Sequence, residues 1–529
     1  MKKTSVFLFA LAILTSSIAQ IQTNKASIKW GNDFKMKSLM NLDEVVSIDK
    51  SGSIVLIKEV KGIFRNNKYH ITKVSNDLNH TGIKPLNLQV SGKELELSEI
   101  FELNDDIYIF SILVDKTKKT QTLYQHTLNR NNLAASSGKQ IKALNYENAS
   151  RRNTGSFAVI VSEDHSKILV LYYTPYKKGE PEQFGAILFD NDMEIIWENE
   201  YTLPYNDENF EINKVIIGNN GQLFLNGTKY TGNKTGFFLR NAKDYSFCIL
   251  STDTSGNNFT ERPVELKDFY ISDLTIGIIP NGDIICSGFT TSRANSTSIN
   301  GVFYLIVDHQ SGEVLIETTK PFDHEFIKEG MTEKQEKKTD KKVAKGKEVS
   351  LPNFVFRDII LKEQGGALVI AEQYWMVVVT TTDSKGVPQT IYHYYYNDII
   401  VVSIGCHGQI EWASKIIKRQ HSTDDNGFYS SYALAIVQDK LFFIYNDNID
   451  NLLYPKEKMK NFVPRTSKKG VVALCEVDYL GNVTKEMLFS SKEVGLLLVP
   501  KLCEQTSENE LFLNCKKSSK NKFGILTFK

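Results

Sequence analysis

Cysteine and proline are scarce in this chain, with six and twelve respectively among 529 residues. Six cysteines are even in number but too sparse to frame a fold of this length, so the fold rests on packing rather than on disulfides. Cys503 and Cys515 flank one hairpin and are the pair suited to a bridge; otherwise the cysteines are small buried apolar residues. Net charge is lacking too: Lys+Arg 63 against Asp+Glu 62 leaves +1. Removal of Lys2 and Lys3 takes the balance slightly below zero, which argues against a nucleic-acid binder. Beyond the first twenty residues no segment is apolar enough to span a membrane.

Familiar catalytic signatures are also missing. There is no Gly-x-Ser-x-Gly, no His-Glu-x-x-His, no phosphate-binding Gly-Lys-Ser/Thr loop and no Cys-x-x-Cys. The nine His do not cluster at ligand spacing; His393, His407 and His421 are evenly spaced at a strand-turn-strand distance. No metal and no cofactor is implied. The runs at 422–429 and 445–451 come nearest to a calcium loop, but Asx turns account for both.

What the chain does contain is a recurring hairpin. Residues 392–418 read as an apolar β-branched strand, a Gly-punctuated turn and a second strand. The same form recurs at 185–203, 247–266, 303–322 and 472–490. Opening hairpins precede the central copies, two of them turning on Asn220-Gly221 and Asn281-Gly282, dipeptides suited to the positive φ of a type I′ turn. Trp197 and Trp412 recur at one place after the turn and read as packing residues. Repetition of this kind argues for an all-β β-propeller, in which each blade adds its own slice of core to a long chain. The tally is seven four-stranded blades, with six or eight open because the N-terminal pattern is weak. A ring needs closure, since an open blade leaves an unpaired edge. The last strands are therefore paired with residues 45–60 in a composite blade.

At the N-terminus Lys2 and Lys3 precede an apolar run, and Ser17 and Ala19 form a small-residue cleavage site. Residues 1–19 read as a secretory signal peptide, residues 20–44 as an N-terminal lead, and 45–529 as the propeller. Residues 329–350 are charged, nearly free of anchors, and read as a mobile insertion.

Strand ends in propellers meet the ring faces, so polar and aromatic residues there are candidates for contact. Glu372, Tyr374, Trp375, Arg419 and Asn446 are the candidate partner-binding residues, with blade-to-blade packing the plainer account of Trp375. The segments "GGALVIAEQYW", "YYYNDIIVVSI", "GQIEWASKIIKRQ" and "LFFIYNDNIDN" resemble exported β-propeller proteins of the Bacteroidetes that lack an assigned activity. That resemblance implies a periplasmic or outer-membrane-associated protein, with an envelope protein as partner and no catalytic residues carried over. The expected function is non-enzymatic protein binding. The alternative is a carbohydrate-binding propeller or glycoside-active enzyme using paired carboxylates, Glu372 with Asp358 or Asp447.

Overall fold

The computed structural model describes residues 21–529 apart from 38, 50, 61–66, 148–152, 176–178, 207–208, 231–244, 293–297, 363–364, 383–385, 387, 454–458 and 465–468. Residues 1–19, read above as a leader, lie outside the described residues. The rest is an all-β propeller. Antiparallel sheets follow one another in the chain at 40–85, 96–145, 156–206, 210–264, 270–321, 354–423 and 433–490, each of four strands except that at 354–423, which gains a fifth short strand, Gln420–Thr423, and an eighth sheet joins both ends of the chain. These are blades one to eight. Apolar clusters of buried residues lie between each consecutive pair, and one of them, with Leu42, Val55, Phe512 and Phe523, joins blade eight to blade one. The ring is closed by packing as well as by pairing.

The open count resolves to eight because residues 45–60 do not share the C-terminal sheet. Met40–Asp49 and Gly52–Glu59 pair with each other and then with Lys68–Val74 and Lys84–Pro85 as a blade of their own. The strand that closes the ring comes instead from the lead. Ala26–Trp30 runs antiparallel to Lys520–Phe528, which pairs with Glu510–Lys517. Its pattern is legible in hindsight: Ala26, Ile28 and Trp30 alternate inward and are buried. Trp30 meets Phe489 of blade seven edge to face, centroids 5.3 Å apart.

Turn chemistry fixes the hairpins, although not as a type I′ turn. At 218–221 only Gly221 takes a positive φ, 88°, while its amide bonds to the Gly218 carbonyl at 2.8 Å. This is a type I turn with a glycine bulge, the three-residue hairpin loop. The outer turns of blades four and seven repeat it with an Asp at the start. Asp253 Oδ1 accepts the amides of Ser255 and Asn257, each at 2.9 Å. Asp478 Oδ1 accepts those of Leu480 and Asn482 at 2.9 and 2.8 Å. Gly256 and Gly481 of these turns lie directly over Trp197 and Trp412 of the preceding blades, where a Cβ would come within 2.8 and 2.6 Å of the rings. The Trp indoles donate onward to Gly221 O at 3.2 Å and Tyr479 O at 2.9 Å. The recurring tryptophans thus latch one blade to the next.

The charged insertion carries a helix, Glu333–Val343. Thr332 and Gln335 form a capping box, which satisfies amides at the helix start. Thr339 and Ile327 are buried, and Lys328 bonds to Asp340 at 3.4 Å. The cap, the buried Thr339 and the Lys328–Asp340 pair hold a helix whose composition is otherwise solvated. All six cysteines are free thiols, four of them buried, so no 503–515 bridge is present.

Candidate functional site

Most first strands of the blades carry a bulge near the channel. The pairing skips one residue between Leu42 and Glu44, Leu97 and Glu99, Ile212 and Lys214, Ile271 and Asp273, and Phe356 and Asp358. A bulge re-aims the side chain that follows it. Here the residue after the skip is charged in all five strands. The sequence signal is an apolar residue, any residue, then a charged one, early in the first strand.

The acidic part of this ring lies between blades eight, one and two. Glu44, Glu99 and Glu504 line one open cavity of about 690 Å³, together with Ser47, Glu102, Asp105 and His165. Burial raises the Glu44 carboxyl, and the nearby Glu99, Asp43 and Glu504 raise it further against Lys58, so that it is pushed up to about 7. Burial also raises Glu99, with Asp43 adding to it, and raises Glu504. Like charges that share a partly desolvated site oppose one another's ionisation. Farther round the channel Lys214 lies near Asp358 and Glu163; burial lowers the lysine and raises Asp358.

A second constellation sits on blade five. The Asp283, Asp308 and His309 ligand atoms lie within 4.8 Å of one another. Asp283 is buried, and its Oδ1 accepts His309 Nδ1 at 3.0 Å and the His309 amide at 3.2 Å. Its Oδ2 accepts Asn281 Nδ2 at 2.7 Å. With Nδ1 directed at the carboxylate, Nε2 of His309 is the nitrogen left to accept a proton or bind a metal. Asp308 also holds its turn, accepting the Gln310 amide at 3.0 Å and the Ser311 hydroxyl at 2.8 Å. The expectation of a non-enzymatic protein-binding propeller, more plausibly not an enzyme, rested on the lack of any acid–base or metal-ligating constellation. Asp283, Asp308 and His309 correct it. Asp283 follows the Asn281-Gly282 turn and lies 25 residues from Asp308, so the three meet only because two turns of one blade share a rim.

Of the five candidate contacts, Glu372 and Asn446 are buried, while Tyr374, Trp375 and Arg419 are half-buried. Glu372 has no exposure: Arg357 donates to its Oε2 at 2.8 Å, Ser431 to the same oxygen at 2.8 Å, and Lys418 to Oε1 at 2.7 Å. Asn446 is equally buried and donates to Tyr429 O and Leu498 O, both at 2.8 Å, tying blade seven to blade eight. Arg419 pairs with Asp398 and donates to Lys418 O at 2.7 Å. Asp447 is fully buried against Asn451 and Lys485. The proposed glycoside pairs built on Glu372 are therefore internal links, closed to substrate. Tyr374 and Trp375 stand where two strands outgrow blade six. Trp375 and Tyr395 stack with centroids 4.7 Å apart, and Tyr395 stacks on His421 at 4.6 Å. His393 Nδ1 meets His421 Nε2 at 3.0 Å, an approach that even spacing alone did not reveal. The two calcium-like runs are self-satisfied: Asp425 accepts the Gly427 amide at 2.9 Å, and Asp447 the Asn448 amide at 2.8 Å. Among the described residues no helix is long and apolar enough to cross a membrane.

No family model matches the chain, and no curated protein matches it. Solved structures do. The WD40 domain of SCAP from fission yeast is 9% identical over 95% of this chain and 98% of that one, TM-score 0.36. Prolyl oligopeptidase B from Galerina marginata is 10% identical over 90% of this chain and 55% of that one, TM-score 0.39. Penicillium chrysogenum alpha-L-arabinanase is 11% identical over 73% of this chain and 98% of that one, TM-score 0.31. Likenesses this distant carry no functional argument.

Proposed function

We propose that this propeller is a glycoside-active protein whose site is the acidic channel mouth between blades eight, one and two. The observation that carries the reading is Glu44, a carboxyl pushed up to about 7 beside Glu99 and Glu504 in a cavity of about 690 Å³. Glycoside cleavage needs one carboxyl that still holds its proton near neutrality and one that has lost it. Glu44 gives its proton to the leaving oxygen as the glycosidic bond breaks. Glu99, on the neighbouring first strand, takes a proton from the water that adds to the sugar. Several acceptors around the same cavity suit the hydroxyls of a sugar.

The test is turnover of a panel of oligosaccharides and aryl glycosides. Glu44→Gln and Glu99→Gln should each reduce turnover by at least ~100-fold, the scale of general acid–base catalysis. Binding without turnover would support the carbohydrate-binding form of the reading. No turnover and no binding across the panel would end it.

A second reading has its own observation, the buried Asp283 that orients His309. In it, Asp283, Asp308 and His309 hold a divalent cation. Hydrolysis that disappears with a chelator and with His309→Ala, but survives Glu44→Gln, would move the active site to blade five.

The protein acts outside the cytoplasm on this reading, as supported by Lys2, Lys3 and the apolar run that follows them. An envelope protein remains a proposed companion. Recovery of the protein in the cytoplasmic fraction would contradict the placement.

A further inference from the structure

Blade six contains strands of 16 and 17 residues, Ala367–Thr382 and Pro388–Ile404. The first strand of that blade stops pairing at Phe354 opposite Gln373. Beyond that point Ala367–Thr382 pairs only with Pro388–Ile404, from Tyr374 opposite Tyr396 to Thr382 opposite Pro388. Among the described residues no strand covers its other edge, although its first amide, that of Tyr374, donates to Asn353 O at 2.9 Å. That edge reads Tyr-Trp-Met-Val-Val-Val-Thr-Thr-Thr, residues 374–382. Met376, Val377, Val378 and Val379 are all exposed.

Exposed edges elsewhere on this ring carry charge. The last strands of blades three to seven contain Glu198 and Glu200, Glu261 and Arg262, Glu317 and Lys320, Glu411, and Lys485 and Glu486. Such charges discourage edge-to-edge pairing. Residues 374–382 have no charge, no proline and, after Glu372, no bulge.

We infer that this edge is a homodimer interface, in which the 374–382 strand pairs antiparallel with the same strand of a second copy across a two-fold axis at Val378. The charge pattern selects this occupant. A two-fold sets each residue of the edge against another of the same edge, and an edge bearing charge of one sign would oppose itself. This one opposes nothing. With the axis at Val378, Val377 faces Val379, Met376 faces Thr380, Trp375 faces Thr381 and Tyr374 faces Thr382. Apolar and β-branched residues in such cross-strand pairs are the favoured kind. The pairing would join two ribbons into one continuous sheet and satisfy the backbone groups along both edges.

Sedimentation of the full chain should give twice the monomer mass. Val378→Lys places two ammonium groups together on the axis and should return the mass to that of one chain, with the melting temperature and circular dichroism of the ring unchanged. In a Cys406→Ser background, Val378→Cys should form an oxidised cross-link with itself. Thr382→Cys should not, but should cross-link when mixed with Tyr374→Cys. A wild-type monomer at high concentration would overturn the inference. So would a dimer that survives Val378→Lys, or Thr382→Cys cross-linking to itself as readily as Val378→Cys.

Discussion

Lys418 Nζ lies 2.7 Å from Glu372 Oε1, and neither side chain has any solvent exposure. The ammonium also donates to Tyr396 O at 3.1 Å and Gln420 Oε1 at 3.0 Å, so all three of its donors are used. Burial lowers the lysine pKa, opposed chiefly by Glu372. This network joins the blade-six strand that bears Glu372 to the start of blade seven through Ser431. Removing one partner leaves an uncompensated charge inside, so Lys418→Met should cost about 3–5 kcal/mol in chemical denaturation. Adding Glu372→Gln to Lys418→Met should cost less than the two single changes together. Equal additivity would show that the pair is not coupled.

Ring closure by the lead is tested at Trp30. It is buried between blades seven and eight, and Trp30→Ala should destabilise the whole ring by about 3–5 kcal/mol. The loss should appear as one cooperative transition. Unchanged melting would mean that Ala26–Trp30 does not close the ring.

How much of this was legible before the structure depended on how far apart the interacting residues lie. Hairpins announced themselves because Asn-Gly, Asp and alternating apolar residues act within a few positions of one another. Trp197 and Trp412 were readable as packing because they recur. Ala26–Trp30 was not placed, since a short strand completing a sheet with the far end of the chain has no local partner. Glu372 reads as a surface residue because its partners, the cations Arg357 and Lys418 and the hydroxyl of Ser431, arrive from three other segments. Asp283 and His309 escaped for the same reason. The channel carboxylates were within reach, through the repeated charged residue after an apolar one, but their shared cavity is a property of the closed ring.

The pair His393 and His421 predicts an acid-sensitive edge on blade six. His421 is lowered first by burial, then by His393, with Asp425 opposing. A lowered folded-state pKa means that the unfolded chain binds more protons, so stability falls as pH drops below about 6.5. Hydrogen exchange of the Gln420–Thr423 strand should accelerate in that range. His393→Gln should raise the His421 midpoint in a proton NMR titration without restoring it fully, because burial remains.

The channel mouth has the opposite pH dependence. Glu44 has a folded-state pKa raised from 4.5 to about 7. Its contribution is therefore fully present below about 4.5 and is lost as pH rises through 7. Glu44→Gln should melt higher than the parent protein at pH 8, and the difference should shrink toward pH 5. A difference that is constant with pH would mean that Glu44 titrates as an ordinary carboxylate.

The most direct measurement is an infrared titration of the carboxyl C=O stretch, taken as the difference between the parent protein and Glu44→Gln. The account predicts a protonated carboxyl band that disappears with a midpoint near 7 in the parent and is absent from Glu44→Gln. A midpoint near the ordinary glutamate value of about 4.3 would contradict it, because the channel would then hold no acid to give at neutral pH.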